Sequence, residues 1–377
     1  MKILIAMDSF KESLSSLAAG QAAAEGFYRV SPDAEITLIP VADGGEGTTD
    51  ALVYATGGKT EQVTVMDLLG RQRLCAYGIL PDGTAVIEAA AASGLHLLRP
   101  EERNPFYTTT FGIGQMIGAA IDQGCRKFII GLGGSGTNDG GIGMLQALGF
   151  EFLDENGAQV PYGAIGLGKI HSVKCDRARS ELKECSFEIA CDVNNPLCGK
   201  NGCSAVYGPQ KGADTAMVKQ MDIWMAHYAE AVKSALPYSD PDFPGAGAAG
   251  GLGFSLMSFL QGKLCRGIEL VIEHCSLRER IANTDLVVTG EGRMDGQTAM
   301  GKAPWGIATL AKEFHKPVIA LCGSYKSAAK IHETIDACFS IVPAPCSLAE
   351  ALDPTVASEN LANTAEQVLR LICQFIL

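Results

Sequence analysis

Short apolar runs alternate along this chain with longer stretches whose apolar positions recur every three to four residues. Residues 2–7 (KILIAM) form such a run, closed by Asp8, the pattern of a strand buried on both faces. Residues 14–28 follow with Leu14, Leu17, Ala24 and Phe27 at roughly helical spacing, and 36–41 make a second run. A polar, glycine-rich turn at 42–48 then leads into a helix through Tyr54, so the opening reads strand–helix–strand–helix, the mark of an α/β domain. Between 60 and 90 the rhythm changes: Val63, Val65, Leu74, Ala76, Gly78, Leu80, Ala85 and Ile87 alternate around Pro81-Asp82-Gly83. That pattern predicts antiparallel or mixed sheet and a crossing into a second domain.

Further on, helices are expected at 111–123, 139–149 and about 217–236, and strands at 127–132 and 187–191. The glycine-rich stretch 244–253 opens a helix that continues to Leu260. The first rhythm returns with strands at 286–289, 317–321 and 338–342, a helix at 304–314 and a closing helix at 347–375. The expectation is a discontinuous α/β domain made of both chain ends (1–65 and 283–377), with a second α/β domain (66–282) inserted.

Composition supports two cores. At 377 residues the chain exceeds the size at which a single core stops growing, and 47% hydrophobic against 19% charged residues excludes disorder. The 44 glycines are well above the average usage of about 7% and cluster in short runs, which permits close backbone approach and positive φ. Lys plus Arg number 30 and Asp plus Glu 42, a formal charge of −12 with no basic run. That balance argues against a nucleic acid partner, so an anionic ligand must be held by local donors. The 13 cysteines include no C-x₂-C pair, and Cys191, Cys198 and Cys203 fit no zinc spacing. The start MKILIAMDSF reads as a strand and not a signal peptide, and no apolar stretch is long enough to span a membrane. A reducing setting is expected.

Candidate chemistry lies in loops that follow strands. Gly131, Gly133 and Gly136 satisfy G-x-G-x-x-G at a strand end, and Gly134, Ser135, Thr137 and Asn138 offer amides and hydroxyls to an anion. A tight packing turn would look the same. Residues 296–302 match G-x₄-G-K, but Ala303 stands where a P-loop needs Ser or Thr, and six residues separate Gly296 from a strand expected to end at Thr289. Asp8-Ser9-Phe10-Lys11, Asp43 to Thr48, Asp192 to Pro196, Gly208 to Gly212 (with Lys211) and Gly290 to Asp295 are also dense in polar groups. Each alone could be a capped helix start. Together, carboxylates beside lysines and glycine turns are the parts of phosphoryl transfer. No G-x-S-x-G elbow occurs, and the six histidines lie away from these loops. An NAD(P)-dependent oxidoreductase acting on a hydroxy acid and a non-catalytic metabolite-binding protein are the other readings.

The strings DSFKESLS (8–15), PVADGGEGT (40–48), GLGGSGTNDGGIGMLQALG (131–149), CDVNNPLCGKNG (191–202), GPQKGA (208–213), PGAGAAGGLG (244–253) and TGEGRMDGQT (289–298) closely resemble the bacterial glycerate kinase family, type I, nearly end to end. The departures are Met7, Gly136, the stretch 112–115 and Ala89 after the retained Glu88. The resemblance implies ATP- and Mg²⁺-dependent phosphorylation of D-glycerate, usually to 2-phosphoglycerate, in the cytoplasm. It also implies a permuted flavodoxin-like domain plus a second α/β domain, with the active site in the cleft between them.

On this reading Asp192 accepts the hydroxyl proton or orients the hydroxyl, with Asp295 as the alternative. Asp8, Asp43 and Glu291 are the candidates to hold Mg²⁺. Lys11, Lys211 and Arg293 neutralise the transferring phosphoryl or the substrate carboxylate, and Ser9 and the 133–139 loop help to bind it.

Overall fold

The computed structural model describes residues 1–42, 44–296, 298, 301–326 and 329–376, the last two by main chain alone. In chain order the strands are β1 (Lys2–Met7), β2 (Glu35–Leu38), β3 (Lys59–Met66), β4 (Gln72–Ile79), β5 (Thr84–Glu88), β6 (Lys127–Gly131), β7 (Glu151–Leu153), β8 (Ser172–Lys174), β9 (Ser186–Ala190), β10 (Lys263–Cys265), β11 (Leu286–Met294), β12 (Val318–Tyr325) and β13 (Ala337–Ser340). The chain divides into two compact units, one of residues 1–43, 50–57 and 267–377, the other of 44–49 and 58–266.

The unit built from the chain ends carries a parallel sheet in the order β13-β12-β11-β1-β2. Counted along the chain, these five strands run 2-1-3-4-5, the flavodoxin-like order. The long insertion falls between the second and third of them. β1 pairs on both sides, with Ile3 to Met7 opposite Leu286 to Gly290 and Lys2 to Ile5 opposite Glu35 to Leu38. A strand so placed has helices over both faces, which is why KILIAM is apolar throughout after Lys2. Helices Ser16–Val30 and Pro354–Ile376 pack together, with Ala19, Ala23 and Phe27 in one core with Leu361, Ala365 and Leu369. A Cβ on Gly26 would lie 2.0 Å from the Ala362 carbonyl oxygen, so the small residues of the first helix set the closeness of that pair.

The other unit holds a six-stranded sheet, β10-β9-β6-β5-β4-β3, parallel from β10 to β5 and antiparallel through β4 and β3. The alternation between 60 and 90 is the half-buried antiparallel edge, with Val65, Cys75 and Tyr77 turned to the core. Phe128 and Phe187 stack across β6 and β9 with centroids 4.8 Å apart. β7 and β8 form a separate antiparallel pair.

Three of the elements that differ from expectation have a local cause. The helix expected at 139–149 is only Ile142–Ala147, because Gly140 and Gly141 take φ of +63° and +79° and hold the chain in a turn. The closing helix is interrupted: Leu348–Leu352 ends at Asp353, whose Oδ1 accepts from the amides of Thr355 and Val356, and Pro354 opens the next helix because it has no amide to continue the first. β11 continues past Thr289 to Met294 because it keeps pairing with β12 as far as Met294 opposite Tyr325.

Candidate active site

In open α/β sheets ligands bind beyond the carboxyl ends of the strands, where the strand order reverses. In the 2-1-3-4-5 sheet that place lies between β1 and β11. The amide of Asp8 donates to the Gly290 carbonyl at 2.9 Å, and a Cβ on Gly292 would sit 3.3 Å from the Phe10 Cα. Asp8, Ser9 and Lys11 are thereby brought beside Glu291, Arg293 and Asp295. Asp8 is 7% exposed, and its Oδ1 accepts from the Ser9 amide at 2.6 Å. Lys11 is exposed and Ser9 half-buried.

Glu291 is 5% exposed, and both of its oxygens are engaged. The Thr298 hydroxyl donates to Oε1 at 2.5 Å and the Lys302 ammonium to Oε2 at 3.3 Å. Burial pushes its carboxyl above the ordinary range, while Thr298 and Lys302 pull the other way. The Thr298 hydroxyl oxygen also accepts from the Asp295 amide at 3.1 Å, which ties the turn to the strand. Arg293, 74% exposed on its side chain, places Nε 3.1 Å from Asp295 Oδ2.

Thr298 and Lys302 were not among the expected site residues. They lie in the G-x₄-G-K string, where the signal was visible but was read only against the nucleotide motif. Because β11 reaches Met294, Gly296 follows its strand closely and not after six residues; Ala303 still departs from the P-loop pattern. Asp43, expected as a metal ligand, lies outside the described residues. Among the described residues no group of three or more His, Cys, Asp or Glu side chains is placed to hold a metal ion.

The second cluster belongs to the other unit. β5, β6 and β9 end in register, with Glu88 opposite Gly131 and Gly131 opposite Ala190. The loop after β6 is bound closely by its neighbours. A Cβ on Gly131 would meet the Gly44 carbonyl oxygen at 2.6 Å, one on Gly133 the Gly45 Cα at 2.5 Å, and one on Gly136 the Leu68 Cδ1 at 2.8 Å. The three glycines of the G-x-G-x-x-G string thus serve close chain packing, and the next helix begins only at Ile142. The dinucleotide reading loses its one support.

The polar residues of the loop are inward. Asn138 and Asp139 are fully buried. Asp139 accepts from the Thr110 amide and hydroxyl (2.8 and 2.9 Å) and the Gly141 amide (3.0 Å), which makes it a structural anchor. Asn138 Nδ2 donates to Ser204 Oγ at 2.9 Å, while its Oδ1 has no hydrogen-bond partner among the described residues. The Lys211 ammonium donates to Ser135 Oγ at 3.1 Å and to the Thr137 carbonyl at 2.6 Å. The segment that carries Gly250 lies on the loop, since a Cβ there would be 2.1 Å from the Thr137 carbonyl oxygen. Glu88 Oε1 accepts from the Thr49 amide at 2.8 Å, and Asp192 stands exposed two residues beyond β9.

So the structure gathers Asp8, Ser9, Lys11, Glu291, Arg293 and Asp295 in one place, and Gly134, Ser135, Thr137, Asn138 and Lys211 in another, with Asp192 after the strand that adjoins β6.

Comparison with known proteins agrees with this architecture. Residues 3–373 match the model described as the glycerate kinase family. A glycerate kinase of Bacillus subtilis is 47% identical, over 98% of this chain and 97% of its own. A glycerate 2-kinase of Escherichia coli is 46% identical, over 97% of this chain and 98% of its own. A crystal structure assigned as a glycerate kinase 2 of Salmonella typhimurium superposes with a TM-score of 0.90 at 44% identity, covering 99% of this chain and 98% of that one.

Proposed function

The chain belongs to the glycerate kinase family, and from that premise we propose that it transfers the γ-phosphoryl group of ATP to the 2-hydroxyl of D-glycerate, giving 2-phosphoglycerate and ADP. The observation that carries the choice of substrate and position is the end-to-end likeness to the relative named glycerate 2-kinase. The setting is the cytoplasm, with a small-molecule substrate and no nucleic acid or membrane partner; no helix among the described residues is long and apolar enough to cross a membrane.

Phosphoryl transfer needs positioning and charge stabilisation more than covalent chemistry from the protein. Asp192, exposed beyond β9, is assigned to accept the proton of the attacking hydroxyl or to orient that hydroxyl. Asp295 is the second choice, since its carboxylate is already drawn to Arg293. Lys11 and Arg293, both exposed, are the cations with the reach to balance charge on the transferring group, and Ser9 is assigned to bind it. The 133–138 loop is assigned to an anionic group of substrate or nucleotide.

Mg²⁺ is the metal this chemistry calls for. It keeps several waters and is held by one or two carboxylates together with substrate phosphates, so a three-carboxylate cage is not required. Asp8, at the end of β1, fits that role, and Asp43 remains assigned to it. Glu291 is the least open of the three, because a hydroxyl and an ammonium already donate to its two oxygens. We assign Glu291 to holding Thr298 and Lys302 in place. When bound, the metal would neutralise negative charge on the nucleotide phosphates.

A coupled assay of ADP release tests the reading. ADP release should require D-glycerate, and phosphorus NMR should show the 2-phosphate. ADP release no faster than with ATP alone, or D-glycerate-dependent reduction of NAD⁺, would overturn the proposal.

A further inference from the structure

Lys211 ends a short turn, Pro209–Lys211, that Gly212 reverses at φ +96°. Gly212 packs on the Arg103 backbone, where a Cβ would meet the carbonyl oxygen at 2.3 Å, so the turn is fixed from that side. The lysine side chain is driven inward and is 2% exposed. Its acceptors, Ser135 Oγ and the Thr137 carbonyl, are both neutral. Among the described residues it makes no ion pair, although buried cations are ordinarily paired.

The charged and titratable groups around it do not supply a bonded counter-ion. Asp139 attracts the ammonium from a distance, but its oxygens are committed to Thr110 and Gly141. The Cys203 thiol is pushed up to about 11 by burial and is therefore neutral at ordinary pH. Arg103, on the far side of Gly212, adds no negative charge.

We propose that Lys211 is the buried counter-charge of an anion site in the 133–138 loop, acting on a carboxylate or phosphate through Ser135 and Thr137 and not by touching it. The identity of the anion as glycerate carboxylate or nucleotide phosphate rests on the kinase reading. By donating to Ser135 Oγ, the ammonium occupies a lone pair there and leaves the hydroxyl hydrogen to serve a ligand. The Thr137 hydroxyl, fully buried, lies 3.4 Å from that of Ser135; with the Thr137 hydroxyl donating to Ser135 Oγ, the Ser135 hydrogen is the one left for the ligand. Lys211 is then a positioning residue, and it works only when charged. Burial lowers it to about 8, so an anion that settles above it favours the protonated form and draws a proton from solution near that pH.

The test is calorimetric titration of the full chain near pH 8.5 with D-glycerate, with ATP and with inorganic phosphate, each in two buffers of different ionisation enthalpy. The ligand whose anion occupies the loop should bind with uptake of a fraction of a proton in the wild type and none in Lys211→Met. Ser135→Ala should weaken that ligand by roughly 10- to 100-fold, and its effect should be largely lost in the Lys211→Met background, because the two act as one unit. Proton uptake unchanged in Lys211→Met, or additive effects of the two substitutions, would overturn the proposal. Should Lys211→Met fail to fold, Lys211→Arg serves: it keeps the charge and should bind without proton uptake, and uptake equal to wild type sinks the idea. If D-glycerate and ATP do not bind but phosphate binds with Lys211-dependent uptake, the kinase reading fails and the anion site stands. If none of the three binds the wild type, both fail.

Discussion

The amide of Asp8 donates to the carbonyl of Gly290 at 2.9 Å, although the whole insertion lies between the two residues in the chain. That bond continues the β1–β11 ladder one step past Met7 and seats two polar loops on one surface. Gly290 makes it possible, since a Cβ there would lie 2.0 Å from the Leu321 carbonyl oxygen of β12. Gly290→Ala must therefore push β11 and β12 apart. A loss of about 2–4 kcal/mol in stability is expected, read as a lower denaturant midpoint, together with loss of glycerate-dependent ADP release.

Asp192→Asn separates chemistry from folding. The side chain is exposed, so the melting temperature should stay near wild type. As the assigned proton acceptor it should lower kcat by roughly 10²- to 10⁴-fold with a smaller change in KM. Asp295→Asn should cost less, because Arg293 already engages that carboxylate. A kcat within a factor of two of wild type in Asp192→Asn would remove it from the mechanism.

Glu291 carries a pH signature. Its folded-state carboxyl is raised by burial, so just above the ordinary carboxylate range the folded chain holds a proton that the unfolded chain has released. Stability contributed by this group is thus lost as pH rises through that window, and the ionised carboxylate is retained for what it holds, Thr298 and Lys302. Melting curves from pH 4 to 7 should show the wild type losing ground to Glu291→Gln as pH rises, while the variant turns over glycerate more slowly. A parallel pair of stability profiles would contradict this account.

Neighbouring positions at 249 and 250 should respond in opposite ways. Ala249 holds φ +51°, a left-handed conformation that costs a residue with a Cβ about 1 kcal/mol, so Ala249→Gly should stabilise by about that amount. Gly250→Ala would drive a methyl to 2.1 Å from the Thr137 carbonyl oxygen and disturb the loop that Lys211 braces. Chemical denaturation of the two variants should show midpoints on either side of wild type.

Much of the architecture was legible in the chain. The apolar run at 2–7, the alternation around 60–90 and the return of short runs after 286 correspond to a parallel strand, an antiparallel edge and the strands β11 to β13. Where the reading slipped, the cause was local chemistry or pairing that a pattern does not carry. Asp353 and Pro354 restart a helix whose apolar periodicity runs on unbroken. β11 gains residues 290–294 because β12 is there to pair with them, although Gly290 and Gly292 look like the end of a strand.

The chain by itself determined that polar groups and glycines gather after the strands, since burial in a parallel sheet leaves only the strand ends free to differ, and its long motifs carried the resemblance to a kinase family. Only the tertiary structure decided what each group does there. It turned the G-x-G-x-x-G glycines into points of close contact, because Gly44 and Gly45 lie on Gly131 and Gly133, and Leu68 and Leu95 on Gly136. It committed Glu291 to Thr298 and Lys302, and drew Lys211 under Ser135 and Thr137. Spacing records which residue types are near a turn. Whether a carboxylate or an ammonium is open to a ligand depends on partners and burial, and those exist only once segments distant in the chain have come together.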